Sequence, residues 1–370
     1  MADLVAEELE NPHSGMIVLH VLPIDLKRGA QRYARVLADH LQSRGTRNVV
    51  LTIFGATPGD SDDDESLGVD TGLLRRAGLD PRAVLRLRGA VARIRPDVVI
   101  AHGGEPAKYC WLALPRSLPL VYLTIGSAHP RLRRSFSWLL HRRYTRRADV
   151  VVAVSAEVAE ETREMHRLEP GQIVVIPNGR DREVFSPSEI EPDPDQCRLI
   201  WVGQLDDAKR PDWFIEAVRA LVSGGARVDA LIVGDGPLRP DIQVAAAAAG
   251  VKVLGSRDDV PSLMADSDVL VFTGRPPEGM PGVLIEAGLC GLAVVSTRVP
   301  GAMDVVEDGA TGLLVDIDDR DGLVAAVKRL VESPAERRDM GRRARRRCEE
   351  RFSMEATVAR WESLLEAQTR

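Results

Sequence analysis

Aromatic residues make up only 4% of this 370-residue chain, and cysteine, lysine and long apolar runs are scarce as well. The four cysteines, Cys110, Cys197, Cys290 and Cys348, lie far apart with no CxxC pair. That spacing suggests neither a disulfide framework nor a zinc cage, and reads as free thiols in a reducing compartment. No stretch approaches the roughly 18 uninterrupted apolar residues of a membrane-spanning helix. The opening MADLVAEELENPHSG is acidic and polar, unlike a signal peptide, so a cytoplasmic protein with a disordered segment over 1–15 is expected. A formal net charge of −6 excludes nucleic-acid binding by bulk positive charge. Of the 49 basic residues only five are lysines, among them Lys209, so a lysine kept in a special place carries information.

Short β-branched runs bounded by turn residues are plentiful. The first half carries MIVLHVL (16–22), NVVLTIF (48–54), DVVIAH (97–102), LVYLTIG (120–126), DVVVAVS (149–155) and QIVVIP (172–177). The second repeats the plan with RLIWVG (198–203), DALIVGDG (229–236), VKVLG (251–255), DVLVFTG (268–274), LAVVST (292–297) and GLLVD (312–316). Continuous apolar strands alternating with amphipathic helices indicate parallel sheets covered on both faces, so each half is read as a doubly wound Rossmann-like α/β domain. The run SPSEIEPDPDQ (186–196), with three prolines and four acidic residues, reads as a solvated linker. The expected partition is 16–190, 191–352 and a C-terminal helix over 353–370 packing back across the junction. GDSDDDESLGVD (59–70) reads as a solvated surface loop rather than a metal site built on Asp62, Asp63 and Asp64. Two such domains facing each other would share a cleft at the carboxyl ends of their strands, where ligands bind in open α/β sheets.

The densest chemistry lies in VFTGRPPEGMPGVLIEAGLCGLAVVST (271–297). A strand, a Gly/Pro-rich loop and Pro281 in a first helical turn would turn the backbone N–H groups of Met280, Gly282 and Val283 outward, a site for phosphate oxygens. Glu278 stands before that helix and Glu286 two turns on. A carboxylate on the loop can accept from sugar hydroxyls, and one on the helix can take two adjacent ribose hydroxyls. Read from the residues alone, Glu278 as a helix-dipole residue and Glu286 as a solvent-facing one fit the spacing equally well. In WVGQLDDAKRPDWFIEAVRAL (201–221), Lys209 sits in a loop after a strand and can put an ammonium on a diphosphate. VGDGPLR (233–239) breaks the G-x-G-x-x-G fingerprint at Arg239, and neither GxxxxGK[ST] nor GxSxG occurs. Asp316 and Asp318 form a DxD in a turn read as a solvated loop, so no metal is assigned.

Together these blocks, EGMPGVLIEAGLCGLAVVST, VGQLDDAKRPD, VPGAMDVVEDGATGLLV, RFSMEATVARWESLL, IPNGRDREVFSP and LPIDLKRGAQRYARVLADHL, resemble the retaining glycosyltransferases of the GT-B fold, family 4 ("glycosyl transferases group 1"), over nearly the whole chain. The resemblance implies an N-terminal acceptor domain and a C-terminal nucleotide-sugar donor domain. It implies that Glu286 holds the donor ribose, Glu278 contacts the donor sugar or its phosphate, Lys209 neutralises the diphosphate, and Met280, Pro281, Gly282 and Val283 support the phosphates. Gly29 would let backbone approach the phosphate or acceptor, and Leu254 to Arg257, with Gly255 and Arg257 among them, would read the base through main-chain groups.

The departures are specific. Gln204 stands where the family has arginine, so either another arginine, Arg210 or Arg275, substitutes or turnover is weak. Arg28 precedes Gly29 where two glycines are usual, and Asp304 replaces a glutamate. Gly126 occupies the place of the family's cleft histidine, with His129 three residues on. All seven histidines fall within 1–166, and His102 and His129 are the candidate imidazoles, His129 being taken as the catalytic one. The resemblance implies that no general base is required, the leaving diphosphate assisting acceptor deprotonation in that family, and it implies neither a cofactor nor a divalent metal.

The reading that follows is transfer of a sugar from a nucleoside diphosphate, UDP or GDP above all, to a hydroxyl of a lipid-linked, saccharide or small-molecule acceptor. A nicotinamide-dependent dehydrogenase and a sugar-nucleotide-binding protein without transfer activity are the rivals. Residues 71–147 hold 16 basic against 3 acidic side chains, and 127–149 interleaves seven arginines with Phe136, Trp138, Leu139 and Leu140. A phosphorylated or membrane-bound acceptor, and peripheral contact with an anionic lipid surface through 127–149, are expected there.

Overall fold

In a computed structural model of the chain, the residues described are 15–24, 29–55, 64–70, 78–124, 137–188, 196–276 and 278–369. Contacts divide the chain into two units, residues 1–123, 139–151 and 362–370 in one and 124–138 and 152–361 in the other. This division departs from the expected boundary at 190/191. Residues 152–190 count with the second unit, and the C-terminal helix Met354–Thr369 is split, its last residues falling in the first. Among the described residues no helix is long and apolar enough to cross a membrane.

The first sheet contains β1 (Ile17–Ile24), β2 (Arg47–Phe54), β3 (Asp64–Val69), β4 (Val98–His102), β5 (Leu120–Thr124), β6 (Val150–Ala153) and β7 (Ile173–Val175). Their order is β3-β2-β1-β4-β5-β6-β7, the doubly wound pattern that alternating apolar strands and helices dictate. The central strands are buried along their whole length because helices cover both faces, which is why β4 and β5 read as unbroken apolar runs. β3 corrects the reading of 59–70 as a loop throughout. Residues 64–69 form an edge strand parallel to β2, with Asp64 opposite Val50 and Val69 opposite Phe54. An edge strand needs little apolar surface. Here Arg35 pairs with Asp64 at 3.1 Å and Arg93 takes Glu65 through two bonds, so the acidic side chains are neutralised at the edge. Asp62 and Asp63 lie outside the described residues. Among the described residues no cluster of His, Cys, Asp or Glu could hold a metal ion.

A polar thread runs through the buried part of this sheet. Asn48 Nδ2 donates to Thr46 Oγ1 at 2.8 Å, which turns Asn48 Oδ1 toward His20 Nε2 at 3.0 Å, and His20 Nδ1 lies 3.0 Å from His102 Nε2. Because Oδ1 can only accept, His20 carries its proton on Nε2, and its bare Nδ1 accepts from His102. Burial pushes His20 down to about 4 and His102 well below the usual histidine range. His102, one of the two candidate imidazoles, is thus tied into the interior of the sheet.

The second sheet contains β8 (Cys197–Val202), β9 (Val228–Val233), β10 (Lys252–Gly255), β11 (Val269–Phe272), β12 (Ala293–Thr297) and β13 (Gly312–Val315). Their order is β10-β9-β8-β11-β12-β13, all parallel among the recorded pairings. Leu199, Trp201, Phe214, Val218, Ile232 and Val295 are among the residues of its core. The helix Pro211–Ser223 buries Trp213, Phe214, Ala217, Val218 and Leu221 on the stripe its spacing predicts, and Pro211 stands in its first turn, where a missing N–H costs nothing. All four cysteines are buried, and burial above all pushes the thiols of Cys197, Cys290 and Cys348 up to about 12.

Candidate functional site

The second unit brings several of the sequence's candidate residues to one edge of its sheet. Gly203 follows β8, Gly234 follows β9, Gly255 ends β10 and Thr273 follows β11. The backbones there lie too close for side chains. Gly234 has φ +139°, its N–H donates to Gly255 O at 2.8 Å, and a Cβ on it would fall 1.8 Å from Gly203 O. The carboxyl edge of a parallel sheet is where the strand termini leave room for a ligand.

Lys209 is presented by a turn that Asp206 caps, its Oδ1 accepting from the N–H groups of Ala208 at 3.0 Å and Lys209 at 2.9 Å. The turn is fastened to the end of β11 by Thr273. Its buried Oγ1 accepts from the Trp201 indole at 2.9 Å and donates toward the carbonyls of Lys209 and Arg210, at 2.7 and 2.8 Å. So held, the Lys209 ammonium is ion-paired with Glu278 and stands 5.2 Å from the centre of the Phe272 ring. Glu278 belongs to a loop that packs on Gly301, whose φ is +71° and whose Cβ would fall 2.2 Å from Gly279 O. The same loop is tied to the Lys209 turn by the bond from Arg275 N to Ala208 O, at 2.9 Å.

Four residues beyond Glu278, the helix Gly282–Leu289 begins, with Pro281 as its N-cap rather than inside its first turn. Met280 and Pro281 are buried, as are Leu284, Ile285, Ala287 and Leu289, while Gly282, Val283 and Glu286 form a half-buried face. The N–H groups of Gly282 and Val283 open the helix and have no intrahelical acceptor, and Pro281 supplies no side-chain cap. Glu286, one turn on, accepts from Arg180 Nε at 2.6 Å. Arg180, which lies inside the IPNGRDREVFSP block, is a site residue that the sequence reading does not single out. Its backbone is pinned, Arg180 N donating to Phe352 O at 3.0 Å and Arg180 O accepting from Met354 N at 2.8 Å. Two carboxylate–cation pairs, Lys209 with Glu278 and Arg180 with Glu286, therefore flank the open start of one helix.

Arg210 is placed otherwise than expected. It sits at φ 49°, 7% exposed, with its guanidinium 3.9 Å from the centre of the Trp213 ring. Nε donates to Thr273 O at 2.9 Å, Nη2 to Gly274 O at 3.3 Å and Nη1 to Asp318 at 3.1 Å. It clamps β11 from inside and is not free to substitute for the family's arginine on a diphosphate. Gln204 is exposed, its carbonyl accepting from Asp206 N at 2.9 Å, and the Arg275 side chain is exposed too. Gly255 has φ +74° with the Arg239 guanidinium over it, and Arg257 lies on the surface, held by both oxygens of Asp259, whose carboxyl it lowers. Asp316 and Asp318 are solvated, as read. Gly29 opens the helix Gly29–Gln42 of the first unit, and His129 lies outside the described residues.

Parallel strands ending on glycine-rich loops define a doubly wound class of α/β protein, whose ligands bind at the carboxyl ends of the strands. The models for "Glycosyl transferases group 1" and "Glycosyltransferase Family 4" match residues 196–333 and 27–184. The alpha-maltose-1-phosphate synthase of Mycolicibacterium smegmatis is 30% identical over 290 residues, 70% of this chain and 69% of its own. The N-acetyl-alpha-D-glucosaminyl L-malate synthase of Bacillus anthracis is 30% identical over 234 residues, and the match spans 59% of that protein's length and 59% of this chain. HepE of Anabaena, solved with UDP, superposes with a TM-score of 0.78 at 20% identity, covering 95% of this chain and 100% of that one. The chain belongs to glycosyltransferase family 4, and its fold is the two-sheet α/β architecture that the resemblance implied.

Proposed function

We propose that the protein is a retaining glycosyltransferase that moves a sugar from a nucleoside diphosphate, UDP or GDP in first place, to an acceptor hydroxyl. The observation that carries the reading is the pairing of Lys209 with Glu278 and of Arg180 with Glu286 at the open start of helix Gly282–Leu289. Glu286 takes the ribose hydroxyls as a bidentate acceptor, and Glu278 takes hydroxyls of the sugar. Lys209 and the N–H groups of Gly282 and Val283 stabilise charge growing on the diphosphate as it leaves. The bond from the anomeric carbon to the phosphate oxygen breaks. The acceptor oxygen bonds that carbon on the same face, and its proton passes to the departing phosphate. In this reading the cations are side chains and no divalent metal is required. The acceptor is lipid-linked, saccharide or a small molecule. An anionic one is favoured by the basic surplus over 71–147 and by the L-malate and 1-phosphate in the names of the two relatives.

Titration with UDP, GDP and ADP, followed by transfer or hydrolysis of the matching sugar donor, tests this. Binding of one diphosphate that Glu286→Ala abolishes, together with turnover, is the expected result. No binding to any of the three, or binding without turnover, would overturn it.

A further inference from the structure

We infer that Arg180 is a donor-contacting residue, the second cation of the diphosphate site, parked on Glu286 until the nucleotide arrives. The inference rests on the reading of Lys209, Glu278 and Glu286 as the nucleotide-sugar site. Three features of the structure carry it.

The guanidinium lies along one face of helix Gly282–Leu289. Positions 282 and 286 are one turn apart on that face. Arg180 spans both, with Nε 2.6 Å from Glu286 and Nη2 so close over Gly282 that a Cβ there would fall 1.8 Å from it. Only a glycine leaves room for the guanidinium in this position. The group therefore stands at the helix start whose open N–H groups suit phosphate oxygens, and not merely beside a distant carboxylate.

Its hydrogen bonding is half used. Nε serves Glu286 and Nη1 serves Gly179 O at 3.1 Å, while Nη2 has no hydrogen-bond partner among the described residues. Nη2 is the nitrogen over Gly282. A guanidinium is a fork of five N–H donors suited to phosphate, and the unused prong is the one directed at the helix start.

The resting contact is one that a nucleotide exchanges rather than destroys. The start of a helix is its positive pole, an unfavourable place for a cation unless a carboxylate or another anion compensates. Glu286 compensates in the free protein. When ribose hydroxyls take the Glu286 oxygens, the guanidinium loses that partner and gains the diphosphate within a rotation of its own side chain, its backbone staying pinned by Phe352 and Met354. Lys209 makes the same exchange away from Glu278.

The test is calorimetric titration of wild type, Arg180→Gln, Arg180→Lys and Glu286→Ala with UDP, GDP and ADP and with uridine, guanosine and adenosine, each variant being checked for an unchanged melting temperature. Arg180→Gln is expected to weaken the preferred diphosphate by about 10- to 100-fold while changing its nucleoside by no more than about twofold, as loss of a charge-assisted bond to phosphate requires. Arg180→Lys, which keeps the charge and loses the fork, should fall between, and should keep a salt dependence that Arg180→Gln loses. Unchanged diphosphate binding by Arg180→Gln, or tighter binding of diphosphate and nucleoside alike, would overturn the assignment; the second result would make Arg180 a plug over Glu286. If wild type binds a diphosphate that Glu286→Ala loses and Arg180→Gln keeps, this inference fails alone. If wild type binds none, the reading of the site fails with it.

Discussion

The indole N–H of Trp201 donates to Thr273 Oγ1 at 2.9 Å, and that hydroxyl in turn holds the carbonyls of Lys209 and Arg210, 64 and 63 residues away in sequence. A core tryptophan on β8 is thereby linked through β11 to the turn that presents Lys209. Thr273→Val removes the hydroxyl while keeping the shape, which leaves the buried Trp201 N–H unsatisfied. The expected cost is about 1–3 kcal/mol of stability, read by urea denaturation, together with weaker nucleoside diphosphate binding. Thr273→Ser should restore most of both. A valine variant that melts and binds like wild type would show that the link positions nothing.

Adjacent in sequence, Lys209 and Arg210 should fail in opposite ways. Lys209 is about a quarter exposed and its ammonium is paired with Glu278, so Lys209→Ala is expected to lower diphosphate affinity about tenfold or more with little change in stability. Arg210 is packed on Trp213 and bonded to two carbonyls at the end of β11. Arg210→Ala should cost about 1–3 kcal/mol of stability by losing that packing and leaving carbonyls without donors. Denaturation curves and titrations on the two variants separate these outcomes. Equal stability losses would refute the division of labour.

The contrast shows what the sequence made legible. Parallel strands, the two-sheet plan and the loops carrying Lys209 and Glu278 follow from continuous apolar runs, turn residues and helix spacing. Where Arg210 points does not, because its direction is set by one left-handed backbone angle, φ 49°. Arg180 carries no signal in the sequence because its partner, Glu286, is 106 residues away, and no local pattern records such a meeting. β3 looked like a loop because an edge strand with Val69 as its fully buried residue needs few apolar residues; Arg35 and Arg93 supply what neutralises its acids. His102 ends an apolar strand as an active-site residue might, and only its contact with His20 reveals a tie within the sheet.

That tie predicts acid sensitivity. His20 is held down to about 4 and His102 lies well below 6.5 in the folded state, whereas both titrate near 6.5 when unfolded. Between pH 6.5 and 4 the unfolded chain binds protons that the folded chain refuses, so stability is fully present above 6.5 and is lost as pH falls. With two such groups acting in the same direction, the loss steepens once pH falls below 6.5. His141, pushed down to about 4 by burial, acts in the same direction. Urea denaturation at pH 7 and pH 5 should show a fall that His102→Gln, whatever its stability at pH 7, makes shallower. An unchanged slope in that variant would place the titration elsewhere.

The helix Ser137–Thr145 carries the last prediction, that the protein binds anionic membrane surfaces. Leu139 and Leu140 are 51% and 42% exposed, large apolar groups in water, and Arg143 and Arg146 are exposed on the same stretch. Leucines that enter the boundary of a bilayer while arginines meet anionic headgroups need this combination, with about 1 kcal/mol from each basic residue near the surface. Co-sedimentation should therefore show binding to vesicles containing phosphatidylglycerol, weakened by salt, and little to pure phosphatidylcholine. Leu139→Ser with Leu140→Ser should reduce it about tenfold or more, since burying a leucine is worth roughly 1.5–3 kcal/mol, without altering nucleotide titration. Equal binding to neutral and anionic vesicles, or no effect of the double substitution, would remove this helix from any membrane contact.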